Sequence, residues 1–205
     1  MQILGINGSP REGNTKYFLD FTLQELAEKD FETRLINISK LEIAPCQGCY
    51  HCVENKKCKQ KDDFSNLLEK MLKADGMLIG SPVYHSSLTA DLKALLDRAG
   101  FVGRWRGYEM KRSSDRDYEW KGTAFSGKVA APITVARRTG QNFTFAELLL
   151  WFTVNDFIVV GSNYWSMGVA GSKGAIDADE DREAHSILQH LADNMARLLN
   201  SLNKN

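Results

Sequence analysis

Four cysteines lie within residues 46–58, a short stretch for a chain of 205 residues. Their spacing is C-x2-C-x2-C-x5-C, so their thiolates can converge on one small object. Ligation of a [4Fe–4S] cluster by four cysteines uses similarly compact spacing, whereas structural zinc more often uses two separated Cys-x-x-Cys pairs. The spacing therefore favours a cluster, and zinc or thiols without a metal are the alternatives. The candidate ligands are Cys46, Cys49, Cys52 and Cys58.

A polar loop at residues 8–15 is the second group that could do chemistry. Residues 2–7 before it are mostly apolar and predict a buried strand, and the apolar residues after it recur at helical spacing. A loop between a strand and a helix presents backbone N–H groups at the positive end of the helix dipole, which favours an anion. The candidate contacts are Ser9, Pro10, Arg11, Gly13, Asn14 and Thr15.

The composition of this loop indicates which phosphate ligand it suits. The loop lacks the lysine of GxxxxGK[ST] and also lacks GxGxxG. The second predicted strand ends in Asn37 rather than in an acidic residue, which weakens a dinucleotide site. Hydroxyls and amides suit a terminal monoester phosphate such as that of FMN. The alternative is an ordinary strand-to-helix turn in which Asn14 or Thr15 caps the helix.

Two loops resemble those of a known family. Residues 8–15, G-S-P-R-E-G-N-T, resemble the GSPRxGxT loop of the flavodoxin-like NADPH-dependent FMN reductases, and residues 81–84, S-P-V-Y, are similar to the second flavin loop of that family. The resemblance implies that the first loop holds the phosphate of FMN and that loops at 81–87 and 136–142 line its ring. The ring contacts that it implies are Ser81, Pro82, Val83, Tyr84, His85, Arg137, Thr139 and Gly140.

The cysteine segment carries a second resemblance. Its compact motif, the preceding Ala44-Pro45 and the following Asp62-Asp63 resemble the iron–sulfur flavoproteins of anaerobic archaea and bacteria. This resemblance implies an electron-transfer oxidoreductase with FMN and a [4Fe–4S] cluster, in which the cofactors carry the chemistry and no side chain is catalytic. It also implies a homodimer or homotetramer and an electron donor such as ferredoxin or NAD(P)H.

Two other functions stay open. One is an NAD(P)H-dependent FMN or quinone reductase whose cysteines hold no functional cluster. The other is a non-catalytic flavin- or metal-binding module.

Alternating strands and helices must position the loops. Strands are predicted at 2–7, 32–38, 76–80, 129–135 and 157–160, with amphipathic helices between them and near 181–202. This alternation predicts an α/β fold with a parallel sheet covered on both faces. The resemblance implies the flavodoxin-like three-layer sandwich, with five strands in the order 2-1-3-4-5. The three flavin loops all follow strands and are therefore expected at one edge of the sheet.

Length and composition predict one domain over residues 1–205. A segment at 101–126 mixes aromatic and basic residues without a clear period, so we expect an irregular insertion that acts as a lid or subunit contact, with a solvated loop as the alternative.

The charge balance and the beginning of the chain argue against several classes of protein. Lys plus Arg and Asp plus Glu number 26 each, so no global charge recruits nucleic acid or an anionic membrane. The chain begins with a predicted strand rather than a signal peptide, and no apolar run approaches the ~20 residues of a membrane helix. We expect a cytoplasmic protein, and the reducing conditions there argue against disulfides.

Overall fold

The structure, a computed structural model, describes residues 1–107, 122–169, 171 and 177–203. Its sheet is parallel, with the strand order β2-β1-β3-β4-β5. This confirms the predicted flavodoxin-like order. The strands are β1 (Gln2–Asn7), β2 (Glu32–Asn37), β3 (Gly76–Pro82), β4 (Val129–Ala136), β5 (Ile158–Val159) and β6 (Met167–Val169).

The edge of the sheet beside β4 differs from the prediction, because the strand predicted at 157–160 is shorter and a further strand, β6, lies in a stretch that was not predicted as a strand. β5 pairs with the beginning of β4, and β6 pairs with the last three residues of β4. Between them the chain leaves the sheet to contact the last helix, where Ser162 Oγ donates a hydrogen bond to the Ile187 carbonyl (2.6 Å). The chain then returns beside the C-terminal end of β4, where the predicted ligand site lies.

Helices cover both faces of the sheet. In the described ranges they are α1 (Asn14–Ala27), α2 (His51–Asn55), α3 (Phe64–Lys73), α4 (Ala90–Gly107), α5 (Gln141–Val154) and α6 (Arg182–Leu202). Successive residues of a strand point to opposite faces, so Ile3 packs with α1 and α6, while Leu4 packs with α3, α4 and α5. Each fully buried aliphatic side chain contributes roughly 1.5–3 kcal/mol to the stability of these layers. None of the helices within these ranges combines the length and apolarity needed to cross a bilayer.

Helix α4 extends further than predicted. Residues 101–107 were expected to be irregular, but they continue the helix. The extension is packed, because Val102 is buried and Gly103 lies so close to Phe125 that an added Cβ would overlap the ring. Residues 108–121, which make up most of the predicted insertion, lie outside the described residues.

Candidate functional site

Three loops meet at the C-terminal edge of the sheet, as expected for loops that follow β1, β3 and β4. Thr89, two residues after the second loop, donates a hydrogen bond from its Oγ1 to the Gly8 carbonyl (2.6 Å), which holds the end of the second loop beside the first. The third loop touches the second at Gly140, where an added Cβ would stand 2.9 Å from both Val83 Cγ1 and Ser86 Oγ. The structure therefore brings the predicted flavin loops together.

The first loop leaves the N-terminus of α1 without a side-chain cap. Gly13 is the N-cap residue, while Asn14 and Thr15 are the first residues inside the helix. The alternative in which either of them caps the helix is therefore wrong. The first N–H groups of α1 remain available to an anion, and the exposed Pro10 and Arg11 lie in the same loop.

The polar side chains of the first loop have different partners. Ser9 is buried, and its Oγ accepts a hydrogen bond from the N–H of Arg11 (3.1 Å). Asn14 Nδ2 donates to Asp177 Oδ1 (2.8 Å) and to the Val169 carbonyl (3.3 Å). The predicted role of Asn14 as a ligand contact is thus accompanied by a structural role, because its amide joins the loop to the end of β6.

Ser81 in the second loop is fully buried and shapes the backbone. Its Oγ donates to the Pro82 carbonyl (2.8 Å) and accepts from the N–H of Thr89 (3.3 Å). These two hydrogen bonds fix the backbone between β3 and α4. They also engage the hydroxyl that, by the family resemblance, was expected to contact the flavin ring.

The second loop also contains a tight turn. The N–H groups of Tyr84 and Ser87 each donate to the carbonyl of the other residue at 3.0 Å. His85 and Ser86 between them have φ values of 50° and 62°, a left-handed conformation that costs about 1 kcal/mol for each non-glycine residue. Glu147 on α5 holds the turn, because its carboxylate accepts a hydrogen bond from Ser87 Oγ (2.8 Å).

The third loop presents exposed residues at the beginning of α5. Arg137, Arg138 and Thr139 are exposed, and Gly140 is the N-cap residue with a φ of 94°. No side chain caps α5 either, so a second helix begins at this edge with its first N–H groups uncapped.

The cysteine segment at 46–58 folds back on itself. It contains the short helix α2, which the sequence analysis did not predict. The backbone turns in a left-handed conformation before α2, at its beginning and after its end. The φ values there are 61° at Gly48, 57° at Tyr50 and 56° at Lys56. These turns allow cysteines on both sides of α2 to approach one another.

The four cysteines line one pocket, together with Phe101 and Trp105, which lie one turn apart on α4. The first two cysteines are exposed and the last two are half-buried. Burial raises the pKa of the Cys52 thiol, and the charges of the other three cysteines raise it further. Within the described ranges, no three His, Cys, Asp or Glu side chains are arranged to hold a single metal ion. The predicted ligands therefore share a pocket without forming a single-ion site.

Arg98 on α4 is a charged residue buried beside these cysteines, with only 1% of its surface exposed. Its Nη1 and Nη2 donate to the two carboxylate oxygens of Asp62 (2.5 and 2.9 Å). Nη1 also donates to the Ala44 carbonyl (2.9 Å), and Nη2 donates to Cys58 Sγ (3.3 Å). The guanidinium carbon stands 4.1 Å from the ring centre of Phe64.

Asp62 completes this arrangement. Its carboxylate accepts hydrogen bonds from the N–H groups of Ala44 (3.0 Å) and Phe64 (3.3 Å). Hydrogen bonds from Arg98 lower the pKa of Asp62 below its ordinary value of 3.8. The sequence analysis missed Arg98, whose signal was a charge three residues after Leu95 on the apolar side of a predicted helix.

The chain is similar in sequence to known flavoproteins. The profile of the NADPH-dependent FMN reductase family matches residues 1–172. The iron–sulfur flavoprotein MJ1083 of Methanocaldococcus jannaschii is 34% identical over 186 residues, which cover 88% of this chain and 89% of that protein. The iron–sulfur flavoprotein of Methanosarcina thermophila is 32% identical and aligns with 100% of this chain and 98% of its own length.

Solved structures share the fold at low sequence identity. RosB, crystallised with bound 8-demethyl-8-formylriboflavin-5'-phosphate, superposes with a TM-score of 0.76 at 14% identity and covers 100% of this chain and 81% of its own. An archaeal flavodoxin superposes with a TM-score of 0.61 at 10% identity and covers 98% and 99%. The fold, the three loops and the match over residues 1–172 together show that the chain belongs to the NADPH-dependent FMN reductase family.

Proposed function

We propose that this chain is an electron-transfer oxidoreductase that binds FMN at its three loops and a [4Fe–4S] cluster at its four cysteines. The observation that carries the proposal is the single pocket lined by all four cysteines, on the scaffold of an FMN reductase. The names of the two archaeal relatives support it, since both are called iron–sulfur flavoproteins and both align over most of this chain.

The first loop would bind the phosphate of FMN. The uncapped N–H groups of α1 suit an anion, and the hydroxyls of Ser9 and Thr15 add donors. Arg11 is exposed and adds a positive charge. Asn14 would act mainly by fixing the loop, because its amide is bonded to Asp177.

The second and third loops would bind the flavin ring. Tyr84 is 42% exposed and offers an aromatic surface, and His85 follows it in the left-handed turn. Thr139 and Gly140 would offer backbone N–H groups at the beginning of α5, and Arg137 would add a positive charge there. Ser81, Pro82 and Val83 would set the shape of the second loop rather than bond the ring through the Ser81 hydroxyl.

The cysteine pocket fits an iron–sulfur cluster. In such a cluster the cysteines bind different iron atoms, which is a different requirement from the convergence of ligands on one ion. The sulfur of Cys58 already accepts a hydrogen bond from Arg98 Nη2 (3.3 Å), a contact that suits a thiolate ligand of a cluster. When bound, FMN would supply one- or two-electron exchange, and the cluster would supply one-electron exchange.

The test is the cofactor content of protein purified without oxygen and supplied with iron and sulfide. We expect about four iron and four acid-labile sulfide per chain, together with FMN. The variants Cys49→Ala and Cys52→Ala should lose iron and keep FMN, because the flavin loops follow other strands. Glu54→Ala, at an exposed residue of the same segment that does not line the pocket, should keep both. Protein that carries FMN but no iron under these conditions would contradict the cluster.

A second candidate function is an NAD(P)H-dependent FMN or quinone reductase whose cysteines hold no cluster. The family match favours it, because the matching profile is that of NADPH-dependent FMN reductases. Steady-state NADPH oxidation that is equal in the parent and in the cysteine variants, with no iron in either, is the expected result for this candidate.

A further inference from the structure

We propose that Arg98 is a positioning residue for the cysteine segment, which it orders through Ala44 and Cys58, and that it donates a hydrogen bond to the Cys58 sulfur when this sulfur ligates the cluster. The inference rests on the proposed function and names a residue outside the predicted ligand set.

One guanidinium connects the two ends of the cysteine segment. Ala44 lies two residues before the first cysteine, Cys58 is the last, and Arg98 donates to both (2.9 Å to the carbonyl, 3.3 Å to the sulfur). Cys46 and Cys49 are exposed, so packing in the core does not hold them. The two hydrogen bonds from Arg98 hold the ends of the segment in place instead.

The position of the guanidinium is itself fixed. Asp62 accepts two hydrogen bonds from it, and the ring of Phe64 lies 4.1 Å from its central carbon. Asp62 also binds the Ala44 N–H, so the ion pair contacts both backbone groups of the residue that leads into the segment. A planar, forked donor is needed for this set of partners, and a lysine, with one compact ammonium group, cannot reproduce it.

The contact with sulfur has a chemical consequence. A hydrogen bond to a ligating thiolate stabilises the more negative, reduced form of an iron–sulfur cluster and thereby raises its reduction potential. The carboxylate of Asp62 already balances the charge of Arg98, so the effect on Cys58 comes chiefly from the N–H···S bond.

Arg106 provides a matched control on the same helix. Its Nε donates to the Lys56 carbonyl (3.0 Å), and its guanidinium pairs with Glu69 (2.7 Å). It therefore contacts the cysteine segment and carries the same charge, but its contacts are to a carbonyl and a carboxylate rather than to a sulfur.

The test compares Arg98→Lys, the double variant Arg98→Met with Asp62→Asn, and Arg106→Met in anaerobically reconstituted protein. The double variant avoids leaving the Asp62 carboxylate buried without its partner. We expect a lower cluster reduction potential and less iron per chain in both Arg98 variants, and parent-like values in Arg106→Met. FMN content should be unchanged in all three, which shows that the scaffold is folded. Parent-like potentials in both Arg98 variants, or an equal loss of iron in Arg106→Met, would overturn the proposal.

Amide hydrogen exchange across residues 44–62 in the metal-free chain separates this inference from the proposed function. A parent chain that takes up no iron overturns the proposed function and the effect on potential. The positioning role is then decided by exchange alone. We expect rates about tenfold above those of the parent in Arg98→Lys, which weakens charged hydrogen bonds to Ala44 and Cys58. The rise should be smaller in Arg106→Met, whose hydrogen bond to the Lys56 carbonyl is exposed. Equal rates in the two variants would show that Arg98 does not order the segment.

Discussion

At the scale of single residues, two ion pairs between a basic side chain and an aspartate differ in how far they are exposed to solvent. The side chains of Asp62 and Arg98 are 11% and 1% exposed, whereas those of Lys16 and Asp20 on α1 are 28% and 48% exposed. When one partner of a buried ion pair is removed, the other charge is left buried without a counter-charge. When one partner of an exposed pair is removed, water solvates the remaining charge. The same chemical change should therefore have unequal effects at the two sites.

Asp62→Asn is expected to lower the unfolding free energy of the metal-free protein by roughly 3 kcal/mol, measured by urea denaturation near neutral pH. Asp20→Asn, the matched surface change, should cost less than about 1 kcal/mol. Because the folded-state pKa of Asp62 is lowered, its contribution is complete above the ordinary value of 3.8 and is lost as the pH falls below it. The difference between parent and Asp62→Asn should therefore shrink in acid, and equal losses for the two variants would contradict the assignment.

A second prediction at this scale concerns the phosphate. Replacing Ser9 and Thr15 together with alanine removes two hydroxyl donors and should weaken FMN binding by about 1–3 kcal/mol, measured by fluorescence titration. Ser201→Ala, which removes an exposed hydroxyl from α6, should leave the affinity unchanged. An unaltered FMN affinity in the double variant would mean that the first loop does not bind the phosphate.

At the scale of elements, the flavin loops depend on one another. The second loop holds two left-handed residues in its turn, and Gly140 of the third loop packs directly against this turn. The backbone at Gly140 is also left-handed, so a side chain there meets both strain and a close contact. A change in the third loop should therefore affect the second loop.

Gly140→Ala is expected to destabilise the fold by about 1–3 kcal/mol and to weaken FMN binding, because its Cβ would displace Val83 and Ser86. Thermal unfolding and flavin titration measure the two effects. Gly161→Ala is the control, since an added Cβ at that position meets no atom within 4 Å. Identical behaviour of the two variants would show that the loops do not depend on this contact.

At the scale of the whole molecule, α5 is apolar on more than one side. Leu148 and Phe152 are buried in the core, but Phe143, Leu150 and Val154 on the same helix are 58–70% exposed. A helix that is apolar all round is typically covered on both sides. This agrees with the homodimer or homotetramer that the resemblance implies, which stays a prediction.

Leu150→Asp is expected to lower the mass in solution, measured by light scattering, because a carboxylate in a subunit contact would be buried without a partner. Leu202→Asp places the same charge on an exposed leucine of α6 and should leave the mass unchanged. Equal masses for the parent and Leu150→Asp would exclude α5 as a subunit contact.

Local sequence patterns were sufficient to predict β1 to β5, most helices and the resemblance to the family. Apolar periodicity is a local property, so β1 was predicted with the bounds that the structure has. The order of the five predicted strands was implied by the family resemblance, and the structure confirms it. The loop and cysteine motifs are also contiguous, and they could be recognised without knowledge of the packing. The C-terminal end of α4 was not predicted, because residues 101–107 show no clear apolar period. The close contact of Gly103 with Phe125 forms only in the folded chain.

The partners of the polar side chains could not be predicted from local sequence patterns. Asn14 bonds Asp177, which is 163 residues away in the chain, and Arg98 bonds Asp62, which is 36 residues away. No local pattern encodes such pairs, because they form only when the crossovers of a parallel sheet bring distant segments together. The same packing shortened the fifth strand, added β6 and engaged the Ser81 hydroxyl, while it placed the four cysteines of a contiguous motif around one pocket.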